Sequence, residues 1–280
     1  MIELIQQRLD HSEANSAFSE QQALKEILQE VALYSLWRAN FFSIAAFQGG
    51  TSLRILHQLP RFSEDLDFIL KEPIVSFSWQ KYQQTLLETF ATFGLEMTVV
   101  NKDQMDKRVQ QAILKNDAVA RQLTVSFPQH RSVLKIKLEI DVNPPEQSGY
   151  GWSYLDFPLD FEICHQDLPS NFSLKIHALL CRPYLKGRDW YDFNWYISHG
   201  IQPNYPHLQA ALDQYGPWAN QSLQVNPQWL RLQLLKQIEH IDWQEARWDV
   251  ERFLNVTQRQ SLNLWKKEFF IHKVSAISAD

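Results

Sequence analysis

Apolar side chains recur at spacings of three and four near the start of the chain, most regularly over residues 20–33. This is the period of an amphipathic helix, so we predict helical structure up to about Asn40. The following apolar run, 41–47, is short and leads into the Gly49-Gly50 pair. It predicts a buried strand that ends in a tight turn.

Helical spacing resumes over residues 51–59, and Pro60 is expected to end that helix because proline cannot continue its hydrogen bonds. Residues 66–70 are apolar apart from one aspartate and predict a second buried strand. A helix is predicted over 78–93, and a strand over 95–100. These elements together indicate an α+β arrangement for the first half of the chain.

Strict alternation of apolar and polar residues marks two later segments, 123–127 and 133–142, while residues 102–118 are polar and ambiguous. Alternation with a period of two is typical of half-buried antiparallel strands. In the second segment one face is predicted to hold Leu134, Ile136, Leu138 and Ile140, and the other Lys135, Lys137, Glu139 and Asp141.

From Ser170 to the end the pattern is helical, with breaks at Pro183, 200–206 and 216–227. We therefore predict an α+β domain over residues 1–165 and a helical domain over 166–280. No Gly/Ser-rich linker, internal repeat or low-complexity tract marks the boundary.

Composition is ordinary for a globular protein of 280 residues, with 45% hydrophobic and 21% charged residues. A net charge of −5 argues against a general nucleic-acid packing protein but leaves room for a local basic groove. Basic residues do cluster, either as solvated faces or as such a groove. They are Arg131, Lys135 and Lys137, and then Lys175, Arg182, Lys186 and Arg188.

Two cysteines, Cys164 and Cys181, form no CxxC pair, so a structural zinc site or a disulfide framework is not expected. The charged N-terminus does not resemble a signal peptide, and no apolar stretch is long enough to span a membrane. We expect a cytoplasmic protein.

Asp65 and Asp67 are two residues apart at the start of the predicted strand 66–70. At the period of a strand both side chains point to one face, ~7 Å apart along the chain. Two like charges so placed repel each other, and a cation between them would offset that repulsion. Hard oxygen ligands without Cys or His favour Mg²⁺, although a solvated acidic turn would have the same sequence.

Gly49, Gly50 and Thr51 stand where a predicted strand passes into a predicted helix. Backbone amides at a helix start can hold phosphate oxygens, although a plain tight turn is the simpler reading of the glycines alone. A phosphate-binding turn followed by a metal-binding strand would form an NTP site. Asp141, at the end of the strand 133–142, could supply a third metal ligand or could simply cap that strand.

Two separated blocks resemble the AbiEii toxin family, a group of nucleotidyltransferases in the DNA polymerase β-like superfamily. The first is Gly-Gly-Thr-Ser-Leu-Arg at 49–54 with Leu-Pro-Arg-Phe-Ser-Glu-Asp-Leu-Asp-Phe at 59–68. The second is Leu-Lys-Ile-His-Ala-Leu-Leu at 174–180 with Lys-Gly-Arg-Asp-Trp-Tyr-Asp at 186–192. The resemblance covers about residues 40–200 and implies a polymerase β-like core followed by helices.

By position, the resemblance implies that Asp65, Asp67 and Asp141 bind metal, which we expect to be two Mg²⁺ ions. It implies nucleotide binding by the glycine turn and by basic residues. The catalytic residues it implies are Asp65, Asp67, Asp141, Lys175 and Asp189. The nucleotide-binding residues would be Gly49, Gly50, Thr51, Arg54, Lys175 and Arg188.

The implied activity is transfer of NMP from an NTP to a hydroxyl of RNA, such as tRNA, or of a protein, in a toxin–antitoxin system with a cognate antitoxin. A non-catalytic member that binds nucleotide or a partner is the alternative. A DxD glycosyltransferase would leave the glycine turn, Lys175 and Asp189 unexplained. A haloacid-dehalogenase-type phosphatase would need its nucleophilic Asp where the glycines stand.

Overall fold

A computed structural model describes residues 1–12, 14–102, 109–116, 134–221 and 223–277. The chain forms two compact units. The first comprises Met1–Leu56, Ser63–Pro144 and Gly151–His165, and the second comprises His57–Phe62, Pro145–Tyr150 and Gln166–Asp280. Within the described residues, no helix is long and apolar enough to cross a membrane.

A mixed sheet organises the strands in the order β3-β4-β5-β2-β1-β7-β6. β2 is antiparallel to β1 and parallel to β5, and β4 is antiparallel to β5. The strands are β1 Ala45–Gln48, β2 Asp65–Leu70, β3 Thr98–Lys102, β4 Val109–Asn116, β5 Leu134–Asp141, β6 Tyr150–Leu155 and β7 Phe161–Gln166.

The predicted strands are found with shifted ends. The run 41–47 is only partly a strand, because Phe41–Ser43 forms a 3-10 turn before β1 begins. The ambiguous stretch 102–118 contains β4, and the predicted strand 123–127 lies outside the described residues. β5 buries Leu134, Ile136, Leu138 and Ile140, which confirms the predicted apolar face.

Helices α1 Ile2–Asp10, α2 Ala17–Arg38, α3 Gly49–His57 and α4 Gln80–Thr92 accompany the sheet in the first unit. Ser16 begins α2 through a capping box with Ser19, which satisfies amides at the helix start. The middle of α2 is buried nearly all round and packs on α4 and β5, which explains why its polarity is less one-sided than that of a surface helix.

The second unit is helical, as predicted. Its helices are α5 Leu168–Cys181, α6 Gly187–Ser198, α7 Tyr205–Gln214, α8 Pro227–Glu239, α9 Trp243–Glu251, α10 Val256–Arg259 and α11 Lys267–Ser275. Asp167, Asn204, Asn226 and Asp242 cap the starts of α5, α7, α8 and α9 with their side chains.

Aromatic residues fill the interior of this helical unit. The Phe172 and Tyr196 rings stack at 4.4 Å, and Trp243 stacks on Phe270 at 4.1 Å. A Cβ on Gly187 would lie 1.9 Å from the Ala246 carbonyl oxygen, so only glycine lets the start of α6 approach α9 this closely. This contact fixes the position of the following Asp189.

Glu30 on α2 is a buried carboxyl whose side chain lies 3.3 Å from Arg8. Burial raises its pKa to about 7, although Arg8 acts in the opposite direction. The folded state therefore keeps a proton that the unfolded state releases near pH 4.5. Stability is thus lost as pH rises from the unfolded value through about 7.

We expect Glu30→Gln to raise the free energy of unfolding at pH 8 by up to about 3 kcal/mol, because glutamine removes the cost of burying the charge. At pH 4.5 the variant and the wild type should be similar. Urea denaturation at both pH values measures the difference. Glu88→Gln, at an exposed carboxylate on α4, is the control, and an equal gain from both variants would contradict the assignment.

Candidate active site

The glycine turn and the Asp67 carboxylate meet where β1 passes into α3. Gln48, the last residue of β1, is the register partner of Asp67 on β2. Gly49 follows with a φ of 76°, and a Cβ there would lie 2.7 Å from the Asp67 Oδ2 atom. Both the backbone conformation and the approach of the carboxylate therefore require glycine. The turn thus keeps a carboxylate against the start of α3.

Thr51 is fully buried at the first turn of α3. Its hydroxyl donates to the Asp65 carbonyl oxygen and lies 2.8 Å from the Ser63 hydroxyl. Phosphate binding by Thr51 stays a prediction, and in the structure its hydroxyl holds α3 against the start of β2. Arg54, another predicted phosphate contact, forms an ion pair with Glu26 at 2.7 Å.

Charged side chains share one face of β2 and β5. The parallel register places Asp65 beside Lys137 and Asp67 beside Glu139. The Lys137 ammonium lies 2.6 Å from the Glu139 carboxylate, and Gln111 on β4 donates to that carboxylate at 2.5 Å. Glu139 is therefore the acid next to Asp67, a role that sequence reasoning did not give it.

Asp141 lies beside Ile69, one step further along the same face. Its Oδ1 atom accepts a hydrogen bond of 2.9 Å from the Asn143 amide, which caps the turn after β5. β5 does run beside β2, as the third-acid hypothesis required. The register of β5 against β2 nevertheless places Glu139 beside Asp67 and Asp141 beside Ile69, which favours Glu139 as the third carboxylate.

The carboxylate face has the oxygen donors that Mg²⁺ prefers. Burial raises the pKa of Asp65, Lys137 lowers it, and Glu139 raises it further. The negative charge of Asp65 is therefore incompletely offset, and a bound cation would offset it further. Gly49 leaves room for the Asp67 carboxylate beside the glycine turn. In the described part of the chain no three His, Cys, Asp or Glu side chains converge as a ready metal site. Asp65, Asp67 and Glu139 fit the ion chemically and would have to draw together around it.

Buried charges alternate in sign within the second unit. Lys175 on α5 contacts Asp189 at 2.7 Å and Asp192 at 3.0 Å, both on α6. Arg61 holds both oxygens of Asp192, each at 2.6 Å, and Arg182 pairs with Asp189. The predicted Lys175 and Asp189 are thus brought together, but in a different unit from Asp65 and Asp67.

Opposite charges keep these carboxylates ionised. Burial would raise the pKa of Asp189, but Lys175 and Arg182 bring it down to about 2. Arg61 and Lys175 likewise hold the pKa of Asp192 below its usual value despite burial. Sequence reasoning missed Asp192 as a partner of Lys175 and Arg61 as the partner of Asp192. Both residues lie inside the motif blocks 59–68 and 186–192, and this position was the one signal in the sequence that could have pointed to them.

A cavity of about 300 Å³ adjoins this network within the second unit. Its polar lining includes Arg182, Lys186, Asp189 and His240. Burial lowers the pKa of Lys186, and the nearby cations reinforce that effect. Nucleotide binding by Arg188 stays a prediction; its guanidinium lies 4.2 Å from the Phe253 ring centre.

We expect Asp192→Asn to lower the free energy of unfolding by ~3–5 kcal/mol, because it leaves the buried Arg61 without a carboxylate. The double variant Arg61→Met/Asp192→Leu should regain most of that loss, since apolar residues of similar volume replace the pair. Urea denaturation measures both effects.

Lys267→Met is the control for that experiment, because it breaks the exposed Lys267–Glu239 pair. Exposed pairs contribute little, so the control should cost less than ~1 kcal/mol. A similarly small cost for Asp192→Asn would contradict a structural role for the network.

Two solved structures and one family model are similar to this chain. JHP933 from Helicobacter pylori has a similar fold, with a TM-score of 0.51 at 17% identity over 92% of each chain. A second H. pylori structure, described as a candidate nucleotidyltransferase, matches with a TM-score of 0.47 at 16% identity, over 93% of this chain and 99% of that one. No curated protein sequence matches this chain. The sequence model for "Nucleotidyl transferase AbiEii toxin, Type IV TA system" matches residues 31–262. Because that match spans most of the chain, the protein belongs to the AbiEii nucleotidyltransferase toxin family.

Proposed function

We propose that this chain transfers an NMP unit from an NTP to a hydroxyl acceptor. The observation that carries the proposal is the placement of Asp65 and Asp67 on one face of β2, with the Asp67 carboxylate against the glycine turn. Membership of a nucleotidyltransferase family supports the same reaction class.

Asp65, Asp67 and Glu139 would hold Mg²⁺, which when bound neutralises phosphate charge and lowers the pKa of an attacking hydroxyl. Asp141, the third acid expected from the sequence, lies beside Ile69 and would act at most from the edge of this group. The backbone amides at the start of α3, from Gly50 onward, would orient phosphate oxygens. The Thr51 hydroxyl would keep that helix start fixed against β2.

Lys175 is proposed to bind a phosphate oxygen. Its ammonium is held in place by Asp189 and Asp192, so little conformational freedom is lost when a ligand arrives. The surrounding network contains three cations, Arg61, Lys175 and Arg182, for two carboxylates. That excess of positive charge favours an anionic ligand.

RNA, such as tRNA, is the proposed acceptor class, and a protein hydroxyl is the alternative. Arg182 and Lys186 line the cavity in the second unit and would suit a phosphate of the acceptor backbone. A cognate antitoxin is the proposed protein partner, in keeping with the family's toxin–antitoxin description.

We expect Asp65→Asn and Asp67→Asn each to lower labelling of total RNA from α-³²P-NTPs by at least about 100-fold, because charge stabilisation at the phosphate is lost. Glu139→Gln should cause a larger loss than Asp141→Asn, since Glu139 is the neighbour of Asp67. Asp160→Asn, at an exposed acid of the first unit, is the control.

Undiminished labelling by both aspartate variants would rule out the assignment. A wild-type protein that binds NTP with Mg²⁺ but labels neither RNA nor protein would support the non-catalytic alternative. A greater loss from Asp141→Asn than from Glu139→Gln would restore Asp141 as the third ligand.

A further inference from the structure

We propose that the Lys137 ammonium is a built-in counter-ion of the carboxylate face formed by Asp65, Asp67 and Glu139, and that a divalent cation binds this face in competition with it. This inference rests on the proposed function, because it takes those carboxylates as the metal ligands. It concerns Lys137, a residue to which the family motifs quoted above assign no role.

The geometry places Lys137 against Glu139 and beside Asp65. It is the register partner of Asp65 on the neighbouring strand, where paired residues lie about 5 Å apart. Its Nζ atom lies 2.6 Å from Glu139, and the side chains of both residues are mostly buried, at 33% and 22% exposure. Burial lowers the pKa of Lys137, but Glu139, Asp65 and Asp67 more than offset this effect. The lysine therefore remains charged and offsets one of the three negative charges.

Charge counting gives the consequence of this placement. Three carboxylates and one ammonium sum to −2, the charge that one divalent ion neutralises. A second divalent ion would leave the face positive while Lys137 stays there. Without nucleotide, the face with its lysine therefore suits a single divalent ion, whereas the sequence-based expectation was two.

Metal binding requires Glu139 to exchange the Lys137 ammonium for the ion. The lysine is a flexible donor, so it can turn to an anion that arrives with the metal, and the phosphates of an NTP are such an anion. The metal alone would thus bind weakly, and the metal with nucleotide tightly. This coupling is reciprocal, because each ligand then raises the affinity for the other by the same factor.

Lys135 offers a matched control on the same strand and the same face. It is exposed, and its register partner is Lys115 rather than an acid. Lys135→Met therefore removes the same charge from β5 at a site that is not paired with an acid. If the effect of Lys137 were only a general change in net charge, both variants would behave alike.

The test is a titration with Mn²⁺, a stand-in for Mg²⁺, in which free ion is measured by electron paramagnetic resonance. It is run with and without an α,β-methylene NTP analogue. We expect Lys137→Met to bind Mn²⁺ at least ~10-fold more tightly than the wild type without nucleotide, because a nearby positive charge is gone. The analogue should tighten Mn²⁺ binding less in this variant than in the wild type. Lys135→Met should stay within about twofold of the wild type.

Unchanged or weaker Mn²⁺ binding by Lys137→Met, or equal tightening by Lys135→Met, would overturn this inference but not the proposed metal site. Wild-type Mn²⁺ binding that survives the Asp65→Asn/Asp67→Asn double variant would instead overturn the proposed metal site and the inference with it. A wild-type protein that binds no Mn²⁺ even with the analogue would also overturn both the proposed metal site and the inference. Lys137→Gln repeats the test if the methionine variant folds poorly.

Discussion

Register between β2 and β5 is the constraint on which the first unit's chemistry depends. The two strands are parallel neighbours, and residues of odd number on both share one face. A shift of one residue would move every acid to the opposite face, into the apolar core. Burial of Leu66, Phe68, Leu138 and Ile140 prevents that shift, so the packing of the core decides which charges meet.

A second physical constraint applies to the helical unit, because several of its charged side chains are buried away from water. Such burial is costly unless each charge has a partner. Arg61, Asp192, Lys175, Asp189 and Arg182 meet this demand by alternating in sign. The arrangement fixes the Lys175 ammonium between two carboxylates.

The carboxylates of the two units differ in how fully nearby cations offset their charge. Asp189 and Asp192 are saturated by cations and have lowered pKa values, which is typical of groups that hold a structure together. Burial raises the pKa of Asp65, and the cations Lys137 and Lys25 offset that effect only in part. An incompletely balanced carboxylate is the better candidate for binding an ion from solution.

The sequence by itself determined the helical second half, the approximate positions of β1, β2, β3 and β5, the buried face of β5, and the family, because these depend on local periodicity and on short motifs. The motifs also predicted Asp65, Asp67, Lys175 and Asp189 as site residues. Only the tertiary structure decided that Glu139 rather than Asp141 lies beside Asp67, because strand register depends on how whole apolar faces pack. It likewise revealed Arg61 as the partner of Asp192, a contact between residues 131 positions apart. No local pattern encodes such a distance, since burial of charge is settled only when distant segments meet.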